Sequence, residues 1–335
     1  MTTQDITALA GALQQNARNT DDHGLSAEAV QQLSAAGLLG AATPTEVMER
    51  ARQIALGCGA SSWMVTQFAT AASILALAPS DIQQKIGGAG VLHIGRMDVA
   101  TLTLNDGQVF LSGSLSATGG LDHADWLLIS DLDHDEQKVF GLIRKSDLKL
   151  SGYPYRGGLR GLNWQAVEAT RVPVDLIPVD KAISYHWGES VVLLGAVIGA
   201  AQAGYNDYVA TTRARITGIG GQAVAQFTQV QARLAESHAE LKGLQALYDT
   251  VLDRVDQQEA EHPECVRDRV YIARKGVEAV NRLLSQMGAM GLSETNPVQR
   301  RYRDLRALAC VRGLDWIEQM PVFGKHELGL IEAAF

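Results

Sequence analysis

The side chains that could do chemistry are scattered, and each has a plainer reading beside it. His93 stands just ahead of the first predicted strand. An imidazole titrates near neutral pH, so His93 would orient or deprotonate a bound molecule, or serve as a loop histidine bonded to backbone. Arg213 and Arg215 lie just past a long apolar segment. A guanidinium fork matches a phosphate, and the competing reading is a solvated helix end. Trp63 and Trp164 offer flat surfaces for stacking, although an aromatic residue is more often core. His134 sits among Asp131, Asp133, Asp135 and Glu136, which reads as a polar hairpin tip, so no metal site is assigned. Cys58, Cys265 and Cys310 are far apart, form no C-x-x-C pair and suit a reducing cytoplasm.

Composition narrows the classes. The chain of 335 residues has a formal net charge of -8, with 46% hydrophobic and 20% charged residues. It lacks the concentrated basic face that nucleic acid requires. Met1 to Arg18 carries acids and amides and no basic, apolar signal segment. The run Val191 to Ala203 follows Glu189, contains Gly195, Gly199 and Gln202, and is too short to span a bilayer. No membrane or nucleic-acid partner is expected.

The elements that must position these groups follow from periodicity. Ile6, Leu9, Leu13 and Ala17 predict a first amphipathic helix. Ser26 is the expected N-cap of a second, with Val30, Leu33 and Leu38 facing inward. Helices are predicted over 45–56, 61–77 and 81–86. The period then changes to strands over 99–104 and 109–115, joined by Asn105-Asp106-Gly107, a hairpin signal. Strands over 126–131 and 139–143 flank an acidic turn, 133–136. Segments 148–150 and 167–174 complete the sheet, and 91–98 reads as a brief loop. Long helices are predicted over 191–213, 227–255, 266–287 and 297–318. Strands confined to the middle exclude a doubly wound nucleotide fold. The expectation is α+β, mainly α: an N-terminal helical domain (1–90), a middle β-barrel or sandwich (91–180) and a C-terminal four-helix bundle (181–335).

Four segments carry a family resemblance. They are Gly57-Cys58-Gly59-Ala60-Ser61-Ser62-Trp63; Leu111-Ser112-Gly113 with Gly119-Gly120-Leu121-Asp122-His123-Ala124-Asp125-Trp126; Gly158 to Trp164 with Val172-Pro173; and Gln299-Arg300-Arg301-Tyr302-Arg303-Asp304. In this order they resemble the acyl-CoA dehydrogenase superfamily, and within it the two-component flavin monooxygenases. The resemblance implies a dimer or tetramer, a small-molecule substrate, and FMN or FAD delivered reduced by a separate flavin reductase. It implies flavin between the β domain and the bundle, near Thr118, Gly119, Gly120, Asn163 and Trp164, with its phosphates on Arg213 and Arg215. Trp63, Met97 and Val311 are taken as pocket walls. Arg300, Arg303 and Asp304 would form an ion pair of small surface value that locks the last helix, and His123 would hold a turn.

Two departures stand out against that family. Its usual serine falls at Gly119, beside Thr118, and its usual histidine of the last helix falls at Val311. His93 and Thr118 are therefore the catalytic candidates, His93 because its separation from Gly119 matches a substrate-binding histidine in some members. The alternatives are a dehydrogenase acting on an acyl thioester, with Glu318 as its base, and a scaffold that works without flavin.

Overall fold

A computed structural model describes residues 3–134, 137–153, 157–178, 187–217 and 220–331. The helices α1 (Thr3–His23), α2 (Ala27–Ala35), α3 (Pro44–Ala55), α4 (Gly59–Leu75) and α5 (Ser80–Ile86) come first. Their starts follow local chemistry. Ser26 Oγ accepts from the Ala29 N–H at 3.2 Å, as expected of an N-cap. Thr43 and Glu46 form a reciprocal capping box at the head of α3. α4 is buried on nearly every side, which is why its sequence is apolar all round.

The strands are β1 (Val91–Ile94), β2 (Val99–Asn105), β3 (Gln108–Thr118), β4 (Trp126–His134), β5 (Gln137–Arg144), β6 (Lys149–Gly152), β7 (Gln165–Pro173) and β8 (Asp175–Pro178). They form two four-stranded sheets, β1-β4-β5-β8 and β2-β3-β7-β6. Asp106 and Gly107 both have positive φ (49° and 79°), the geometry of a tight hairpin turn, and Asn105 pairs with Gln108 across it. In the first sheet both faces are covered. Leu127 and Ile129 join the main core, while Trp126 and Leu128 pack with Ala69, Ile74, Leu75 and Ile82 of α4 and α5. A strand buried on both faces reads as a continuous apolar run, as β4 does.

The bundle comprises α6 (Glu189–Val192), α7 (Leu194–Arg213), α8 (Thr228–Asp256), α9 (Pro263–Ser285), α10 (Pro297–Leu308) and α11 (Trp316–Glu327). Gly195 lets α7 cross α3 with backbones touching, since a Cβ there would fall on the Met48 carbonyl.

Several boundaries differ from expectation. Segment 91–98 is not all loop: Val91–Ile94 is a strand parallel to β4. Its pairing is non-local, and the embedded His93 breaks the alternation that would reveal it. β8 lies hidden between Pro173 and Pro178. The expected helix 297–318 is two helices, because Gly313 adopts φ +84° and Asp315 caps α11 through the Ile317 and Glu318 N–H groups, both at 2.9 Å. Leu193 separates α6 from α7, although its N–H still bonds to the Glu189 carbonyl at 3.0 Å. Of the predicted acidic turn 133–136, Asp135 and Glu136 lie outside the described residues.

The expected ion pair among Arg300, Arg303 and Asp304 is replaced by separate partners for Arg303 and Asp304, and the buried pair belongs to their neighbour Arg301. Arg301 Nε meets Asp207 Oδ2 at 2.9 Å, with the side chains 1% and 9% exposed. Arg301 also donates to the carbonyls of Ala55 and Leu56. Arg303 pairs with Asp21 at 3.0 Å. Asp304 accepts the Leu159 N–H at 2.7 Å.

Candidate active site

The β part and the bundle meet at one polar cavity of about 370 Å³, and Gln67 of α4 hydrogen-bonds two of the residues that line it. A volume of this order suits a small ligand. β1 and β4 run parallel, with His93 beside Leu128. Ser130, two residues on, shares the Leu128 face, so His93 and Ser130 come together at the ends of the two strands. Asp131 follows with φ +57°, where the β4–β5 register shifts. Such a bulge turns side chains at the rim of a site. From the bundle come Glu189 at the head of α6, Arg269 of α9, Arg312 and Gly313 of the α10–α11 connection, and Glu318 of α11.

A hydrogen-bonded chain crosses the three parts. Ser130 Oγ lies 2.7 Å from His93 Nε2. His93 Nδ1 lies 3.0 Å from Gln67 Oε1, and Gln67 Nε2 donates to Glu189 Oε1 at 2.8 Å. With Glu189 ionised, Gln67 must turn its amide nitrogen to the carboxylate and its oxygen to His93. The imidazole then carries its proton on Nδ1, and Nε2 accepts from the Ser130 hydroxyl. Burial pushes His93 down to about 3, so it is neutral at physiological pH. Burial raises Glu189, against the opposing bonds from Gln67 and the Gly95 backbone. The site thus holds a neutral imidazole, an oriented hydroxyl and a carboxyl whose proton is retained beyond its usual range.

The other expected residues fall elsewhere. Thr118, Gly119, Gly120, Asn163, Trp164 and Trp63 form a second cluster. The rings of Trp63 and Trp164 meet edge to face at 5.6 Å. Thr118 is buried and pairs with Gln165 across β3 and β7. Asn163 donates to Asp122 at 2.7 Å, and Trp164 to the Leu159 carbonyl at 3.2 Å. The glycine at 119 has a steric cause: a Cβ there would stand 2.6 Å from the Leu162 Cβ. At Gly120 it would stand 2.6 Å from the Met64 sulfur. Met97 and Val311 are buried core residues next to Arg96 and Arg312, which line the cavity. Arg213 is exposed, and Arg215 is half-buried, its Nη2 3.4 Å from the Met287 carbonyl. Both lie at the far end of α7, whose 20 residues span about 30 Å. Within one chain they are not brought to His93. His123 holds the Leu25 carbonyl at 2.9 Å, a structural bond.

Gln67, Ser130, Glu189, Arg269 and Arg312 escaped sequence reasoning. Two carried a signal. Gln67 is the lone amide in an apolar helix, and Arg269 occupies the inward stripe of α9 with Val266, Val270 and Ala273.

A larger cavity of about 780 Å³ lies between α2, α4, α5 and β1. Its wall is mainly apolar, with Val30, Leu39, Phe68, Leu75 and Ile86, and it has no comparable meeting of polar groups.

A flavin ring presents carbonyl oxygens that ask for N–H donors. The junction cavity lies between strands and bundle, and the buried Trp63 Nε1, one turn before Gln67, has no hydrogen-bond partner among the described residues. That donor lies beside Trp164 and the motif glycines and not on the wall of the junction cavity; it fits such a ring there, where the glycines, covered by Leu162 and Met64, would contribute backbone alone.

Residues 191–316 match the family model "Acyl-CoA dehydrogenase, C-terminal domain". The oxygenase subunit HsaA of a flavin-dependent monooxygenase from Mycobacterium tuberculosis is 24% identical, covering 86% of this chain and 82% of that protein. Among solved structures, the 3-HSA hydroxylase from Rhodococcus sp. RHA1 superposes with a TM-score of 0.83 at 19% identity, covering 99% of this chain and 97% of that one. Butyryl-CoA dehydrogenase from Megasphaera elsdenii gives 0.79 at 15% identity, covering 98% and 99%. The chain therefore has the acyl-CoA dehydrogenase fold, and its residues 191–316 match that family's C-terminal domain model.

Proposed function

We propose that this chain is the oxygenase component of a two-component flavin monooxygenase, acting on a small organic substrate in the junction cavity. Reduced FMN or FAD from a separate reductase would supply the activation of O2 for transfer of one oxygen atom. The observation that carries this reading is the cavity itself. It sits where β part and bundle meet, in a chain similar over 86% of its length to a flavin-dependent oxygenase subunit.

His93, held neutral, would present no charge to the substrate, and Ser130 would accept a hydrogen bond from a substrate hydroxyl while donating to Nε2. His93 is a weak base here, so its role is orientation and transient proton acceptance. Gln67 and Glu189 would hold its tautomer. Trp63 and Trp164 would wall the ring site, with Thr118, Gly119, Gly120 and Asn163 behind them. Met97 and Val311 would back the arginines of the wall.

The domain division is taken as 1–90, 91–180 and 181–335. Arg213 and Arg215 would hold flavin phosphate across a subunit interface of a homodimer or homotetramer. The exposed apolar Ile216, Leu292 and Ile317 favour such an assembly. The unpaired Cys58, Cys265 and Cys310 suit the cytoplasm. No described helix is long and apolar enough to cross a membrane.

The test is oxygenation itself. Purified protein, given reduced flavin from an added reductase and isotopically labelled O2, should place one labelled atom in a small aromatic or amine substrate. Release of hydrogen peroxide alone across such a panel would count against the reading. A second reading, a scaffold that works without flavin, is favoured by Leu162 and Met64 filling the space over Gly119 and Gly120. Failure to bind reduced flavin would select it.

A further inference from the structure

Arg269 is 2% exposed and forms part of the cavity wall. Its Nη2 reaches Glu261 Oε1 at 3.2 Å, while Nε and Nη1 are buried with no hydrogen-bond partner among the described residues. A guanidinium does not shed its charge to escape burial. Two unpartnered nitrogens on a buried cation are costly, and a folded chain keeps such a group where something else completes it. The acids near it in sequence are engaged elsewhere, and Asp131 and Glu318 across the cavity make no ion pair with it. Asp268 holds Arg267 at 2.8 Å, Glu259 holds Arg254 at 3.0 Å, and Glu264 also pairs with Arg254.

We propose that Arg269 anchors an anionic group, a carboxylate, on the small molecule that the junction cavity takes. This rests on the cavity being the substrate site, and not on which cofactor works beside it. Arg312 on the facing connection adds positive charge. Asp98, Asp131, Glu261 and Glu318 around the cavity, set against Arg96 and Arg312, repel a doubly charged phosphate more than a singly charged carboxylate, so a monoanion is the better match. Glu189, holding its proton beyond the usual range, adds less repulsion than an ordinary acid.

The test compares benzoate with benzamide, its neutral isostere, by calorimetry on the full chain without flavin, with acetate as a smaller probe. The wild type should prefer benzoate, or bind acetate if benzoate is too large. Arg269→Met should lose about 10- to 100-fold in affinity for the anion, the range for a hydrogen-bonded charge, and leave benzamide unchanged. Arg269→Lys should retain part of the preference. Thermal unfolding controls for folding: removing an incompletely paired buried charge should leave Arg269→Met at least as stable as the wild type. Equal binding of benzoate and benzamide, an unchanged preference in Arg269→Met, or no saturable binding of benzoate or acetate in the millimolar range would each overturn the proposal. FMN and riboflavin separate the other source of an anion. If Arg269→Met weakens FMN and spares riboflavin, the partner is the flavin phosphate and the substrate assignment falls. Carboxylate binding that persists in a protein unable to use flavin would retain this inference and reject the oxygenase reading.

Discussion

Replacing Gln67 with glutamate changes one atom in the chain that links His93 to Glu189. In the wild type the amide oxygen accepts from His93 Nδ1 at 3.0 Å and the amide nitrogen donates to Glu189 at 2.8 Å. Gln67→Glu brings a carboxylate against the imidazole. Two unit charges about 4 Å apart attract by about 4 kcal/mol at an effective dielectric of 20. A neighbouring carboxylate typically raises a partner by about one to three pKa units. His93, now held at about 3, should therefore titrate between about 4 and 6 in the variant. The introduced carboxylate would also face that of Glu189 at hydrogen-bond distance and share one proton with it, so part of the negative charge moves away and the titration falls toward the lower half of that range. The assay is a pH titration of the histidine ring resonances by NMR, with His93 assigned by its loss in His93→Gln. The wild-type resonance should not move before acid unfolding, and that of Gln67→Glu should move within the stated range. A wild-type His93 that titrates near 6.5, or a variant that behaves as the wild type, would refute the network.

Other substitutions probe the frame. Asp304 is raised from 3.8 to about 6, mainly by burial and then by Asp21. Because the folded value is the higher one, its contribution favours the fold below pH 3.8 and is lost as pH rises through 6, about 3 kcal/mol in all. Asp304→Asn, which keeps an acceptor for the Leu159 N–H, should flatten that difference in denaturant titrations at pH 4 and 7.5; parallel curves for both proteins would contradict it. Arg301→Ala leaves Asp207 buried without its cation and should cost about 3–5 kcal/mol in urea unfolding. Gly119→Ser should cost about 1–3 kcal/mol because its Cβ meets Leu162, and the added change Leu162→Ala should recover much of that. A stable, unperturbed Gly119→Ser would show that the space is not filled.

Much of the frame is legible because it is written locally. Ser26, the Asp106-Gly107 turn and the inward stripe of Val47, Ala51, Ile54 and Ala55 are each decided by neighbours in sequence. What escapes depends on distant partners. β1 exists because β4 lies beside it, and no four-residue pattern announces a parallel pairing. Glycine at position 119 reads as a missing catalytic group until Leu162 is seen in the same space. His93 stands out by type and spacing, but its burial and its link through Gln67 to Glu189 join residues 26 and 122 positions apart. Arg269 is visible only as a charge on an apolar stripe, a sign that lacks meaning until its Nε and Nη1 are seen buried at a cavity wall without partners among the described residues.

Whether reduced flavin works at the junction of β part and bundle is tested most directly by anaerobic equilibrium dialysis. Reduced FMN and reduced FAD would each be dialysed against the purified full-length chain. Saturable binding of at least one of them at micromolar affinity, one flavin per chain, is the predicted result. No binding of either at concentrations well above micromolar would contradict it.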